Sequence, residues 1–460
     1  MKLNNILGII AATALLGSCG VYGKYERPSV NTSSLVRDTV SATDTLAAND
    51  TVSFGNLPWK EVFTDPQLQG YIEQAINNNV NMLNAALNVK IVEYQLECAK
   101  LAFVPSFAFT ANGSITSWDG KTPTKVYSMP VQASWSVDLF GNLLNAKRSA
   151  QMALLATKDY QLVVKTRLVS NVANAYYTLM MLDKQKQILD TMQQLTKQTW
   201  DMMRLQKKLG QTNETAVSSA EANYYSVCAS NVDMQRQIRE TENAFSLLLG
   251  EHPQTIVRGD LYSQSLPSTF STGIGVQMLN NRPDVHYAEM SLAQCFYDVQ
   301  RARSRFYPSI TISASGSWTN NSGAGLVNPG KILASAIGSL VQPIFQNGQL
   351  TAGFKVAKAQ QEQAYNTWQN TVLSAGSEVS NALVLYNSSD KMSKLDIKRV
   401  ETLRKNVINT ERLFKMGSST YLEVITAQQQ YLNAQTSLVT ADFDKMQAVV
   451  NLYYALGGGK

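Results

Sequence analysis

The residues with the plainest chemistry stand at the start of the chain. Lys2 gives a short positive opening, Ile6 to Leu16 is an apolar stretch, and Leu16-Gly17-Ser18-Cys19 closes it. Such a stretch reads as a secretory signal, too short to span a bilayer as a helix. The Cys19 thiol can take a diacylglycerol, and the small residues Gly17 and Ser18 leave the backbone open to a peptidase. Residues 1–18 are therefore expected to be removed and Cys19 lipidated, with more than one acyl chain giving a stable membrane anchor. Cys98, Cys228 and Cys295 are odd in number and widely spaced. That argues against a disulfide framework or a zinc site, and they read as small apolar residues on helices. Two histidines, His252 and His286, leave little room for imidazole chemistry. No catalytic residue, metal site or cofactor is expected.

The elements come next. Of 460 residues, 44% are hydrophobic and only 16% charged, with a formal charge of +6. Asn, Gln, Ser and Thr supply most of the polar surface. No basic block occurs, so nucleic acid is not an expected partner. No later run of apolar residues is long enough for a transmembrane helix, so any membrane crossing must use strands.

Residues 19–56 read as an extended, lipid-anchored tether. Beyond it the chain is written twice, as 57–270 and 271–460. At an offset of 207, Gly141 answers Gly348, Asn174 Asn381, Asp183 Asp390, Gly210 Gly417, Tyr224 Tyr431 and Gly250 Gly457. Each half is expected to open with a helix, 66–102 or 277–305. A Phe-x-Pro-Ser break ends it, at Pro105 or Pro308, because proline cannot continue a helix. Strands at 106–137 or 309–342 follow, and then a long helical hairpin, 141–250 or 348–457, with a linker closing the first half. Gly210 or Gly417 ends the first arm as a left-handed cap. That arm would measure about 100 Å, so its partners must be other long helices. Ile188, Leu195, Met202 and Leu209 repeat every seven residues with Met192 in an intervening position, and Leu403, Val407, Thr410 and Phe414 step at coiled-coil spacing.

The strands alternate. Phe107, Phe109, Ala111 and Ile115 share one face, and Thr110, Asn112, Ser114 and Thr116 the other. Residues 127–137 and 310–319 do the same, while 332–342 is less regular. Trp118, Trp135 and Trp318 lie near strand ends. Period two with one lipid-compatible face fits a membrane barrel. Two soluble hairpins and an ordinary helical bundle would give the same patterns; lipidation and the long polar helices favour the barrel. Four strands cannot close a barrel, since the smallest membrane barrels use eight. A trimer would supply twelve strands and twelve helical columns, and a dimer only a bore filled by side chains. The expected fold is thus mainly α with a small β part: a trimeric channel-tunnel of antiparallel coiled-coil α-barrel and membrane β-barrel, four strands per chain, with an internal two-fold repeat.

Residues 281–289 read Asn281-Arg282-Pro283-Asp284-Val285-x-x-Ala288-Glu289. With Trp59, Phe63-x-Asp65-Pro66-x-Leu68, Asp138-Leu139-Phe140-Gly141 and Pro343-Ile344-Phe345, this resembles the outer-membrane efflux protein family (TolC-like), in its lipidated OprM/NodT-type branch. The resemblance covers nearly all of the chain beyond the signal. It implies an outer-membrane exit duct of a tripartite efflux pump for drugs or other small molecules in a Gram-negative cell. The helical part would lie in the periplasm, and the partners would be a periplasmic adaptor and a proton-driven inner-membrane pump. It further implies an aperture on the helix after Gly417, formed by Ser419, Leu422, Glu423 and Thr426. Ser419, Glu423 and Thr426 are spaced to share a helix face. Three Glu423 carboxylates would repel one another when the ring is closed and favour cations when it is open. Relatives often carry Asp where this chain has Thr426, so Leu422 is a competing apolar constriction. The turns with Gly210, Gln211 and Thr212, and with Gly417, Ser418 and Ser419, are the implied adaptor-docking tips. Arg282 and Asp284 read as helix-start and packing residues. A protein-secretion duct or a poreless lipid-anchored scaffold are the competing classes; the strand alternation speaks against the scaffold.

Overall fold

A computed structural model of the chain describes residues 23–29, 54–117, 119–267, 281–319 and 332–460. Cys19, Trp118, most of the tether and the first residues of the helix expected from 277 lie outside the described residues. The fold is mainly helical with a small antiparallel sheet, and among the described residues no helix is long and apolar enough to cross a membrane. Two compact units divide the chain.

One unit holds Leu87–Lys158, His286–Asn370 and residues 23–29, and with them the whole sheet. Its strand segments are β1 (Ser106–Phe109), β2 (Asn112–Thr116), β3 (Thr124–Val137), β4 (Ser309–Thr319) and β5 (Ile332–Val341). β1 and β2 pair with β3 in a single register, Phe109 facing Val131 and Asn112 facing Ser128. The interruption falls where Thr110 meets Pro130. The Thr110 N–H donates to the Pro130 carbonyl at 3.1 Å, and the reciprocal bond is missing because proline has no N–H. Four antiparallel strand positions result, in the order β1/β2, β3, β4, β5.

The pairing sorts the side chains. Phe107, Val131, Ala133, Ala314 and Ala336 fall on one face, and Ser106, Ser134 and Ser313 on the other. On the hydroxyl face Ser128 bonds Ser317 at 3.0 Å and Ser315 bonds Ser335 at 2.9 Å across the strands. Ile337 and Val341 of β5 sit among the hydroxyls, the irregularity legible in that segment. The apolar face is bare in the chain: Phe107 is 74% exposed.

The other unit comprises residues 54–86, Asp159–Val285 and Thr371–Lys460. Its core gathers Phe63, Leu68, Ile72, Val172, Tyr176, Phe245, Leu249 and Tyr453. The expected helix 66–102 is two helices, α1 (Pro66–Asn78) and α2 (Val80–Leu101). Asp65 caps the first, accepting from Gln67 N at 2.8 Å, with Pro66 at the first helical position. Asn79 breaks the run with an extended backbone, and its Oδ1 accepts from Asn81 N at 2.9 Å.

α3 (Asn142–Lys208) and α6 (Gln349–Lys415) each run 67 residues, about 100 Å at the α-helical rise. α4 (Glu214–Leu248) and α7 (Tyr421–Ala455) have 35 each, and α5 is Pro283–Ser304. On α6 the inward positions match the expected seam: Val407 is buried, and Leu403, Thr410 and Phe414 are half-buried. On α3 the expected seam holds along most of its length: Met192 is buried and Ile188, Leu195 and Met202 are half-buried. Leu209, expected inward, is 63% exposed, and Thr196, Thr199 and Met203 are buried beside the expected positions. Threonine can hold these places because Thr196 and Thr199 donate their hydroxyls to the carbonyls of Met192 and Leu195, each at 2.9 Å. Each hydroxyl is thus satisfied within its own helix. The three cysteines are on helices and free; Cys98 is exposed rather than packed, and burial pushes the Cys295 thiol up.

Candidate aperture, tip turns and the buried arginine

Both long helices end in the same way. Gly210 has φ +70° and Gly417 φ +76°, the left-handed conformation that favours glycine. Gly210 N donates to Lys207 O at 3.0 Å and Gln211 N to Gln206 O at 2.9 Å; Gly417 N donates to Phe414 O at 3.0 Å and Ser418 N to Leu413 O at 2.9 Å. This paired pattern is the Schellman cap. Gly210, Gln211, Gly417 and Ser418 are exposed, and Thr212 and Ser419 half-buried. No atom lies within 4 Å of a Cβ built on Gly210 or Gly417.

The helices that leave the turns start differently. Asn213 caps α4, its Oδ1 accepting from Ala216 N at 3.0 Å, and Lys207 pairs with Glu214 across the turn. Thr420 caps α7 in a reciprocal box: Glu423 N donates to Thr420 Oγ1 at 3.4 Å, and Thr420 N donates to Glu423 Oε2 at 2.7 Å. The Ser419 hydroxyl donates to the same carboxylate oxygen at 2.5 Å. Those donors, Ser419 first, hold the Glu423 carboxyl below its ordinary value. Glu423 and Thr426 share the exposed side of α7, opposite Val424, Ala427 and Gln428. Ser419 is not on the helix, which begins at Tyr421; the hydrogen bond, not helical spacing, brings it to Glu423. The Thr426 hydroxyl turns back onto Leu422 O at 2.7 Å. Leu422 is 71% exposed.

Sequence reasoning missed what joins the two tips. Met203, Val217 and Ala220 form a small buried cluster, and Trp200, Ala216, Phe414 and Tyr421 pack against it. Gln428 is buried and donates to Thr199 Oγ1 and Glu411 Oε1, each at 3.2 Å. The signal that could have found the cap is Thr420-x-x-Glu423, a capping-box pattern; nothing in the sequence points to the cross-hairpin contacts.

Arg282 is only 2% exposed. It forks onto Asp284, with Nε to Oδ1 at 3.0 Å and Nη2 to Oδ2 at 2.6 Å, and donates from Nη1 to Ala455 O at 2.9 Å. Glu378 lies 2.7 Å from Nη2. Burial works to lower the Arg282 pKa, but the two carboxylates outweigh it and raise it, so the guanidinium stays charged. Asp284 Oδ1 also accepts from Val285 N at 2.9 Å, as an acid at a helix start should.

The family model described as outer membrane efflux protein matches residues 71–251 and 274–458. The chain belongs to the outer membrane efflux protein family. Its two matched stretches correspond to the two halves of the sequence. The cation efflux system protein CusC of Escherichia coli (strain K12) is 27% identical over 464 residues, covering 99% of each chain. The probable outer membrane lipoprotein SilC of Salmonella typhimurium is 26% identical over 99% of this chain and 98% of that one. A solved CusC structure superposes with a TM-score of 0.84 at 25% identity, covering 96% of this chain and all of that one. The open state of the Neisseria gonorrhoeae MtrE outer membrane channel gives 0.83 at 25% identity, over 95% and 98%. This efflux channel is an outer-membrane protein, with the helical and sheet parts that its relatives share.

Proposed function

We propose that three copies form a passive exit duct, each chain giving four strands to a closed barrel and its long hairpins to a periplasmic tunnel. One observation carries this reading: a sheet with one apolar and one hydroxyl face is continuous in sequence with helices of about 100 Å in a member of this family. The apolar face would meet lipid, with Trp135 and Trp318 on that face toward opposite ends of the strands, as interfacial girdles require. Further copies are also supported by α2. Val80, Leu83, Leu87, Ile91 and Tyr94 lie exposed at coiled-coil spacing along it, a seam that another helix would cover.

The duct would be lipid-anchored at Cys19 and fed by an inner-membrane, proton-driven pump through a periplasmic adaptor. The adaptor would meet the exposed turns at Gly210, Gln211 and Thr212, and at Gly417, Ser418 and Ser419. Ser419, Leu422, Glu423 and Thr426 would line the aperture. CusC is named as a cation efflux system protein and SrpC of Pseudomonas putida as a solvent efflux pump outer membrane protein; the reading for this chain is small solutes.

Planar-bilayer recording tests the aperture. Glu423→Gln should lower cation selectivity, and unchanged conductance and selectivity would remove Glu423 from it. Replacing Gly210 and Gly417 together with valine should abolish efflux while the trimer still assembles; loss of the trimer would assign these glycines to folding alone. In cells, deleting the gene should raise susceptibility to exported compounds.

A further inference from the structure

The apolar face of the sheet is unevenly filled. Across its middle, Ala314 and Gly316 of β4 face Ala336 and Ala334 of β5, with Phe107 and Val131 standing beside them. The result is an open groove of about 600 Å³ lined mostly by carbon. A face meant only to present hydrocarbon would carry Val, Ile and aromatic residues here, the types that strands favour. Alanine and glycine leave a trough instead.

The N-terminal stretch indicates what fills it. Residues 23–29 lie along α5: the Tyr25 ring meets Phe296 edge-on at 5.8 Å, and Arg27 Nε pairs with Glu289 Oε2 at 3.3 Å. From Arg27 back to Tyr25 the contacts advance along α5 from 289 to 296, toward its end at Ser304 and the start of β4 at Ser309. Gly23 therefore heads for the helix-side rim of the sheet, and the four residues that join it to Cys19 give the anchor a reach of about 14 Å from Gly23. From Ser309 to Ala314 is five strand steps of about 3.3 Å. At a tilt of about 45° the groove then lies roughly 12 Å inside the rim. One leaflet's acyl chains reach that depth, because the hydrocarbon core is about 30 Å thick.

We propose that this groove is an acyl-chain site occupied by the lipid on Cys19 of the same chain. The proposal rests on the reading of the apolar face as the lipid-facing wall. The anchor then does more than tether: it fills a trough in the wall, and the Arg27–Glu289 pair sets where its chain enters.

The test uses the full-length lipidated protein from cells fed a diazirine fatty acid, purified and reconstituted in vesicles of unlabelled phosphatidylcholine. In a second arm, protein with an ordinary anchor is reconstituted with diazirine phosphatidylcholine. After irradiation the cross-linked peptides are mapped by mass spectrometry. The anchor should label peptides containing Ala314–Gly316 and Ala334–Ala336, and the free phospholipid should label the apolar face outside them. Gly316→Phe, at a position with open space beyond its Cα, should remove the anchor's label from the groove while channel conductance persists. Equal labelling of the groove by free phospholipid, or anchor label spread across the face, overturns the proposal. If neither reagent reaches the strands, the membrane reading fails with it.

Discussion

The chain makes one joint twice and secures it by different chemistry. In the first half the Asn79 amide donates to Leu248 O at 2.9 Å; in the second, the Arg282 guanidinium donates to Ala455 O at 2.9 Å. The two acceptors are 207 residues apart, and the carbonyls of Asn78 and Asn281 press on Gly250 and Gly457, the matching glycines. Both joints fasten the start of one helix to the end of another. The neutral amide needs nothing further. The guanidinium brings a charge into a buried place and needs Asp284 and Glu378 beside it. A repeated fold thus preserves the geometry of a contact more strictly than the residue that makes it.

That difference predicts unequal damage. Arg282→Ala removes a charged donor from the Ala455 carbonyl, while Asp284 and Glu378 keep access to water, and should cost about 2–3 kcal/mol. Asn79→Ala loses one cap and one hydrogen bond and should cost about 1–2 kcal/mol. Denaturant unfolding of the detergent-solubilised protein compares them; equal costs would mean that the charge network adds nothing to the joint. The glycines sharpen the contrast. A Cβ on Gly457 would stand 2.5 Å from Asn281 O, and one on Gly250 2.7 Å from Asn78 O, so alanine at either must shift the backbone. Gly417→Ala meets open space and carries only the left-handed penalty of about 1–2 kcal/mol. Gly457→Ala should therefore lower the unfolding midpoint clearly more than Gly417→Ala.

These positions also show where the sequence was readable. The strand faces, the proline breaks and the glycine caps are local signals, set by residue size and backbone freedom, and each could be read from its own neighbours. Asn79 was hidden because asparagine also occurs inside helices, and only the carbonyl of Leu248, far along the chain, makes it a break. Arg282 and Asp284 were visible as a motif, whereas Glu378 and Ala455 were not, since nothing local ties them to it. On α3 the buried Thr196 and Thr199 went unread because apolar spacing passes over threonine, whose hydroxyl can bond to its own helix. The tip residues Ser419 and Glu423 were grouped correctly by position, but their link is a hydrogen bond at a helix start.

The tips carry the finer version of the same comparison. Ala216 stands where the other half has Glu423, so one tip has a simple cap and the other a reciprocal one. Thr420→Ala and Asn213→Ala should each cost about 1 kcal/mol, with hydrogen exchange locating the loss in the first turn of α7 or α4. Acid should separate them further. The Glu423 carboxyl is depressed by the Ser419 hydroxyl and by the backbone and hydroxyl of Thr420. A carboxylate with a lowered folded pKa stabilises above its unfolded value, near about 4.3, and that help is lost as pH falls through the folded value. The first turn of α7 should therefore loosen below about pH 4, and the first turn of α4 should loosen less, because the Asn213 cap does not titrate and acid there releases only the exposed Glu214–Lys207 pair. Amide exchange at both turns, corrected for its intrinsic pH dependence, measures this directly. Glu423→Gln should make the α7 turn insensitive to acid; if wild-type α7 is already insensitive, its carboxylate is not holding the cap, and the side chain is free to face the duct.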